Sequence, residues 1–156
     1  PRAEVTGIRP AVPSLSAARH GAALLLFLFL PLLGCCAQAV DVIANRSVSA
    51  GELSLATARA IFGMRQVRWP DGSPVRVFVL PDDHPTHGAL CKERLNLFPY
   101  QLRQSWDRQV YSGMAQAPSE VNSEEELLSR VAATPGAIGY VRKVKPNDPV
   151  KIIAIE

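Results

Sequence analysis

The hydrophobic pattern of the chain predicts four strands. Each is a short run of apolar, mostly β-branched residues that is bounded by turn residues or prolines. The runs cover residues 40–44, 75–80, 137–141 and 150–155. The second run is apolar at nearly every position, which is typical of a strand that is buried on both faces.

Apolar residues at helical spacing predict four helices between these strands. The predicted helices cover approximately residues 54–62, 86–95, 99–111 and 123–132. Two N-caps compete at the start of the first helix: Ser49, with Glu52 three residues later, and Ser54. Gly63 is placed to end this helix.

The third and fourth predicted helices have an apolar face. In the third, Leu102, Trp106 and Val110 form an i, i+4, i+8 stripe that is expected to face the core. Ser123 and Glu126 form the clearest capping box of the chain at the start of the fourth. The predicted order is β-α-β-α-α-α-β-β, which indicates one compact α/β domain over residues 40–156.

The first 39 residues have the pattern of a secretory signal peptide. Residues 22–34 are apolar or small and carry no charge, Arg9 and Arg19 precede them, and Ala37-Gln38-Ala39 follows. As a helix, this run is about 20 Å long, which is short of the roughly 30 Å hydrocarbon core of a membrane. We therefore expect export to the periplasm, cleavage after Ala39, and no stable transmembrane segment after cleavage.

Two other fates of this segment remain open. Leu32-Leu33-Gly34-Cys35 resembles a lipobox, in which Cys35 would be lipidated and anchor the protein. The apolar run could also stay as an uncleaved anchor, although its length disfavours that outcome.

Removing the leader changes the composition. The whole chain has 156 residues and a net charge of +3, but three arginines and one glutamate lie in residues 1–39. The remaining residues carry 14 basic and 13 acidic side chains, so a nucleic-acid partner is not expected. Cys91 is the remaining cysteine, and no intramolecular disulfide is possible within residues 40–156.

Three segments together resemble a known family. They are residues 60–63 (AIFG) with 69–72 (WPDG), the helix of residues 106–113, and residues 135–141 (PGAIGYV). The combination is similar to the periplasmic phosphate-binding-protein family, the substrate-binding components of phosphate ABC transporters, and in particular to short single-lobe relatives. The resemblance implies a three-layer, type 2 periplasmic-binding-protein-like single lobe with a mostly parallel, mixed sheet.

The resemblance also implies a binding loop. Full-length relatives hold phosphate where an Arg precedes an Asp and a Ser-Gly-Thr run at a helix N-terminus, where free N–H groups and the helix dipole favour an anion. Residues 80–86 correspond to that loop, and Asp82 and Thr86 match it. Leu80 stands at the Arg position, and His84-Pro85 replace Ser-Gly, which removes a guanidinium and an N–H donor.

The candidate ligand is inorganic phosphate or another small oxyanion. Its candidate contacts are Asp82, His84, Thr86, Asn45, Arg46 and Ser47. The last three follow the first strand and are expected at the same sheet edge as the loop, where open α/β folds bind ligands. A capping loop with solvated polar residues is the alternative interpretation.

Metal and enzyme sites are weakly indicated. Asp82, Asp83, His84, His87 and Cys91 are possible ligands, but no established metal motif links them. No nucleotide-binding glycine loop is present. We expect neither a cofactor, nor a metal, nor enzymatic activity.

Two functions therefore remain. The protein is either a periplasmic solute-binding component, with a transporter permease as partner, or an accessory protein of the cell envelope that kept the fold without a ligand. The resemblance and the loop of residues 80–86 motivate the first function. A single lobe cannot close on a solute as two lobes do, which motivates the second.

Overall fold

The computed structural model of this chain describes residues 39–156. The apolar run of the signal peptide and the lipobox at Cys35 lie outside the described residues. The signal peptide over residues 1–39 and the domain over residues 40–156 therefore stay predictions.

The described residues form six strands, four α-helices and one π-helical segment. The strands are β1 (Asp41–Asn45), β2 (Glu52–Leu53), β3 (Arg76–Val79), β4 (Ser119–Glu120), β5 (Ala137–Val141) and β6 (Val150–Ile155). The helices are α1 (Leu55–Phe62), α2 (Pro85–Ala89), α3 (Pro99–Tyr111) and α4 (Glu124–Ala133). The π-helical segment Leu90–Arg94 continues α2 directly.

All the predicted strands and helices are present. Ser54 caps α1, since its side chain accepts a hydrogen bond from the N–H of Thr57 at 3.2 Å, whereas Glu52 lies in a strand. The two strands that the sequence did not predict, β2 and β4, have two residues each and carry no periodicity. The prediction that the apolar stripe on α3 faces the core is wrong at its last residue, because Val110 is 44% exposed.

The sheet is mixed, with the strand order β2-β6-β1-β5-β3-β4. Three neighbouring pairs are parallel: β2 with β6, β3 with β5, and β3 with β4. The central strand β1 is antiparallel to both of its neighbours, β5 and β6. The expected mostly parallel, mixed sheet is confirmed, and the direction of β1 decides where the polar residues after it lie.

Helices cover both faces of the sheet, as expected for a three-layer fold. Successive residues of β5 point to opposite faces. Tyr140 contacts Phe62 of α1, with ring centroids 6.1 Å apart, and packs near His87 of α2. On the other face, a Cβ on Gly139 would lie 2.5 Å from Leu127 and 3.0 Å from Val131, so glycine lets α4 pack directly on the strand.

The motifs behind the family resemblance have structural roles. Gly136 has φ +73°, and a Cβ there would lie 2.3 Å from the carbonyl oxygen of Pro74. The buried Trp69 donates its indole N–H to the carbonyl of Gly136 at 2.9 Å. Glycine is therefore required at this position, and the tryptophan fastens the turn before β3 to the start of β5.

Within residues 39–156, no helix is long and apolar enough to span a bilayer.

Candidate functional site

The predicted binding loop follows β3 at the carboxyl end of that strand. His84 is the N-cap of α2, and its Nδ1 accepts a hydrogen bond from the N–H of Thr86 at 3.2 Å. Pro85 occupies the first helical position, where its missing N–H does not matter. The His84 imidazole thus already accepts the Thr86 N–H, which an anion bound at this loop would need.

The carboxylate of Asp82 is held by two side chains. Its Oδ2 accepts a hydrogen bond from Nε of Arg103 at 2.8 Å, and its Oδ1 lies 3.8 Å from Nε2 of His87. The Arg103 guanidinium stacks on Trp106, 4.9 Å from the ring centre, and also lies 3.8 Å from Glu120. A guanidinium therefore does reach the loop, but from α3 rather than from position 80.

Thr86 is already bonded to a carboxylate. Its hydroxyl donates to Oε1 of Glu124 at 2.5 Å, and Thr86 is fully buried. The other carboxylate oxygen of Glu124 accepts the backbone N–H of Arg142 at 2.9 Å. Glu124 thus joins α2, α4 and the end of β5, and it occupies two donors beside this loop, the Thr86 hydroxyl and the Arg142 N–H.

The second half of the predicted site lies elsewhere. Asn45, Arg46 and Ser47 were expected at the same sheet edge as the loop, and this placement is wrong. Because β1 is antiparallel to β5 and β5 is parallel to β3, the end of β1 lies beside the start of β3. The structure therefore separates these residues from Asp82, His84 and Thr86 by the length of the strands.

Asn45, the last residue of β1, and Ser47, two residues later, have structural roles. The amide of Asn45 is 8% exposed and donates to the carbonyls of Val131 and Ala132 at 2.9 and 2.7 Å, at the end of α4. The Ser47 hydroxyl accepts the N–H of Gly136 at 3.0 Å. These bonds satisfy backbone groups at a helix end and a strand start. Arg46 is exposed on the surface.

A buried polar network lies beneath the loop. The Tyr140 hydroxyl accepts the N–H of Leu80 at 2.8 Å and lies 2.6 Å from Nδ1 of His87. A neutral His87 with its proton on Nε2 accepts a hydrogen bond from the Tyr140 hydroxyl at Nδ1 and points its own N–H at Cys91 and Asp82. Cys91 Sγ lies 3.7 Å from that Nε2.

Burial keeps each member of this network uncharged. It lowers the pKa of His87 below its ordinary value of 6.5, against the opposing effect of Asp82. It raises the pKa of the Cys91 thiol to about 12 and raises that of Tyr140. A protonated thiol that is 0% exposed is not a nucleophile, so the contact between His87 and Cys91 is a packing contact.

The possible metal ligands do not converge. Among residues 39–156, no group of three or more His, Cys, Asp and Glu side chains is arranged to hold a metal ion. In the same residues, every buried side-chain nitrogen and oxygen has a hydrogen-bond partner within the chain. The loop and the network below it are therefore a satisfied structural assembly.

Sequence reasoning missed Arg103, Glu124 and Tyr140. Arg103 is three residues before Trp106 on a helix, a spacing at which a guanidinium can stack on the ring, and that was the available signal. Nothing in the local sequence of Glu124 indicates its bond to Thr86.

Comparison with solved structures gives a consistent result. A putative phosphate ABC transporter substrate-binding protein from Clostridium perfringens, solved with bound phosphate, matches with a TM-score of 0.57 and 17% identity over 76% of this chain. The PstS protein from Borrelia burgdorferi (TM-score 0.55, 13% identity) and an ABC-type phosphate transport receptor from Vibrio cholerae (0.56, 14%) also match over 76%. The likeness shows the fold.

This chain spans about half of each of those proteins: 46% of the first and 47% of the other two. No family model and no curated protein matches the sequence. Two of these proteins are named as components of phosphate transport, and the expected absence of catalysis in this chain stays a prediction.

Proposed function

We propose that this protein is an exported accessory protein of the cell envelope, with a solute-binding-protein lobe whose sheet-edge loop does not hold phosphate. One observation carries this proposal: the Glu124 carboxylate accepts the Thr86 hydroxyl and the Arg142 N–H. These are the kinds of donors that an oxyanion needs, and a side chain of the protein already uses them.

The charges around the loop act in the same direction. Asp82, Asp83, Glu120 and Glu124 lie on or beside it, and Arg103 is already shared between Asp82 and Glu120. At the effective dielectric constants of a protein surface, each carboxylate within about 5 Å repels a phosphate monoanion by roughly 1–3 kcal/mol. An incoming phosphate would also have to break a partly buried, charge-assisted hydrogen bond between Thr86 and Glu124.

Export is the second part of the proposal. It rests on the pattern of residues 1–39 and on the fold that this chain shares with substrate-binding proteins of transporters. We propose the periplasm as the location and a transporter permease or another envelope protein as the partner.

Calorimetric titration of the purified protein with phosphate, and with sulfate as a second oxyanion, tests this proposal. We expect no saturable heat at millimolar anion. The variant Glu124→Gln removes the charge but keeps the shape and should reveal weak phosphate binding if the carboxylate is what excludes the anion. Saturable binding to the unaltered protein that Thr86→Val abolishes would overturn the proposal.

A small-oxyanion receptor remains the second candidate, because the Clostridium perfringens neighbour was solved with bound phosphate and Arg103 supplies a guanidinium at the loop. In that case Arg103→Met would weaken phosphate binding, whereas Arg130→Met, on the opposite layer, would not.

A further inference from the structure

A second polar feature lies between α1 and α3. It is an open groove of about 220 Å³ whose floor includes Gly63, Leu102 and Ser105. Three arginines line it, Arg59, Arg65 and Arg108, together with Gln101 and Gln109. No carboxylate is among the lining residues.

The floor of the groove is fixed by contacts between the two helices. The Ser105 hydroxyl donates to the carbonyl of Gly63 at 2.8 Å, and the indole N–H of Trp106 donates to the carbonyl of Phe62 at 2.7 Å. A Cβ on Gly63 would lie 3.0 Å from the Ser105 oxygen, so a larger residue would crowd this contact. The groove is therefore preformed rather than a gap between mobile side chains.

Arg59 is held in place at one side. Its Nε donates to the carbonyl of Leu95 at 2.7 Å, and one terminal nitrogen donates to that of Asn96 at 3.1 Å. These bonds orient the guanidinium and leave its charge without a carboxylate. Ordering an arginine in advance lowers the entropy lost when a ligand binds.

Arg65 and Arg108 are exposed, and within residues 39–156 neither lies within ion-pair distance of an Asp or Glu. The neighbouring carboxylate, Asp107, acts on Arg103, whose pKa it helps to raise. The groove thus presents three guanidinium groups that form no ion pair with an acidic side chain of the described residues, and it favours carboxylates or other anions.

Exposed aromatic residues continue this surface at the start of α3. Phe98 and Tyr100 are 55% and 61% exposed and stack with ring centroids 5.8 Å apart. In the sequence they lie between Leu97 and Gln101, which both line the groove. Arginine and aromatic side chains are enriched at protein–protein interfaces and in their hot spots, so this surface suits a polypeptide better than a lone ion.

We propose that the groove between α1 and α3 docks an Asp/Glu-rich segment of a partner protein. Carboxylates of that segment pair with Arg59, Arg65 and Arg108, and an adjacent part of it packs on Phe98 and Tyr100. This docking surface rests on the proposed accessory function and names the chemistry of its partner.

Titration of the purified protein with a fluorescent decaglutamate peptide tests the docking surface. We expect saturable binding in dilute salt that weakens steeply at about 300 mM salt, because the contacts are between exposed charges. The double variant Arg65→Glu/Arg108→Glu should weaken binding by about tenfold or more. Both side chains are exposed, so thermal melts should show an intact fold.

The matched control is Arg46→Glu/Arg130→Glu, which changes the net charge equally at sites outside the groove. It should weaken decaglutamate binding by no more than about threefold, since only long-range attraction is lost. Equal losses in both double variants would overturn the proposal. So would binding of pyrophosphate to the groove arginines while decaglutamate does not bind.

The two proposals fail in different ways. Suppose that phosphate binds, that Thr86→Val abolishes this binding and that Arg65→Glu/Arg108→Glu leaves it unchanged. That result would refute only the proposal that the loop after β3 does not hold phosphate. Silence with both phosphate and decaglutamate would refute the docking surface alone.

Discussion

The loop after β3 and the groove between α1 and α3 are both rich in polar residues, yet their groups differ in whether they are already bonded. In the loop, Asp82 is paired with Arg103 and Thr86 with Glu124. In the groove, Arg65 and Arg108 face solvent, and no described carboxylate is within ion-pair distance.

This difference shows that residue type alone does not identify a binding site. The loop matches a phosphate-binding pattern in part, but its polar groups already form the hydrogen bonds that hold α2, α4 and the end of β5 together. The groove matches no motif, but no carboxylate of residues 39–156 lies within ion-pair distance of its arginines. A binding site needs hydrogen-bond donors, acceptors or charges that are not already paired with other groups of the folded protein.

The largest expected effect is on stability, and it differs between variants of the loop region and variants of the groove. Tyr140→Phe should lower the free energy of unfolding by about 2–3 kcal/mol, because it strips the buried N–H of Leu80 and Nδ1 of His87 of their partner. Arg65→Ala/Arg108→Ala should change it by less than about 0.5 kcal/mol, since these exposed side chains make no ion pair with any of residues 39–156. Urea unfolding measures both values.

Tyr100→Phe is the matched control, because that hydroxyl is on an exposed ring. A cost for Tyr140→Phe no larger than that of Tyr100→Phe would mean that the buried network beneath the loop contributes nothing to stability.

A smaller effect is expected from pH. Burial lowers the pKa of His87 below 6.5, so the unfolded chain takes up a proton near pH 6.5 that the folded chain does not. The free energy of unfolding should therefore keep its whole contribution from neutral His87 above about pH 6.5. It should fall as the pH decreases from there to the lowered pKa of His87. The total loss is about 1.4 kcal/mol for each pH unit that separates the two pKa values.

The charged groups near His87 are Asp82, which opposes this shift, and Arg103 and His84, which add to it. The variant His87→Gln should flatten the pH dependence of unfolding in this range. An identical slope in unaltered protein and His87→Gln would contradict the assignment.

Local structure could be predicted from the sequence because it depends on local signals. The apolar runs predicted strands such as β5, and the spacing of Leu102 and Trp106 predicted the buried face of α3. The strands β2 and β4 escaped prediction because two residues cannot show a period and their pairing is set by distant partners.

The candidate site could be predicted only in part, since it depends on strand direction. Chain order does not reveal that β1 runs against β3, and this direction alone moves Asn45 to the other end of the sheet. Pairings such as Asp82 with Arg103 and Thr86 with Glu124 join residues 21 and 38 positions apart. Their geometry is set by helix packing, which composition and spacing do not encode.

The most direct test of the central claim is residue-resolved NMR of the backbone amides during two titrations, one with phosphate and one with decaglutamate. The account predicts that phosphate leaves the amides of residues 80–87 unshifted, whereas decaglutamate shifts those around Arg59, Arg65 and Arg108. Saturable phosphate-induced shifts at Thr86 and His87, with no response to decaglutamate at the three arginines, would contradict it.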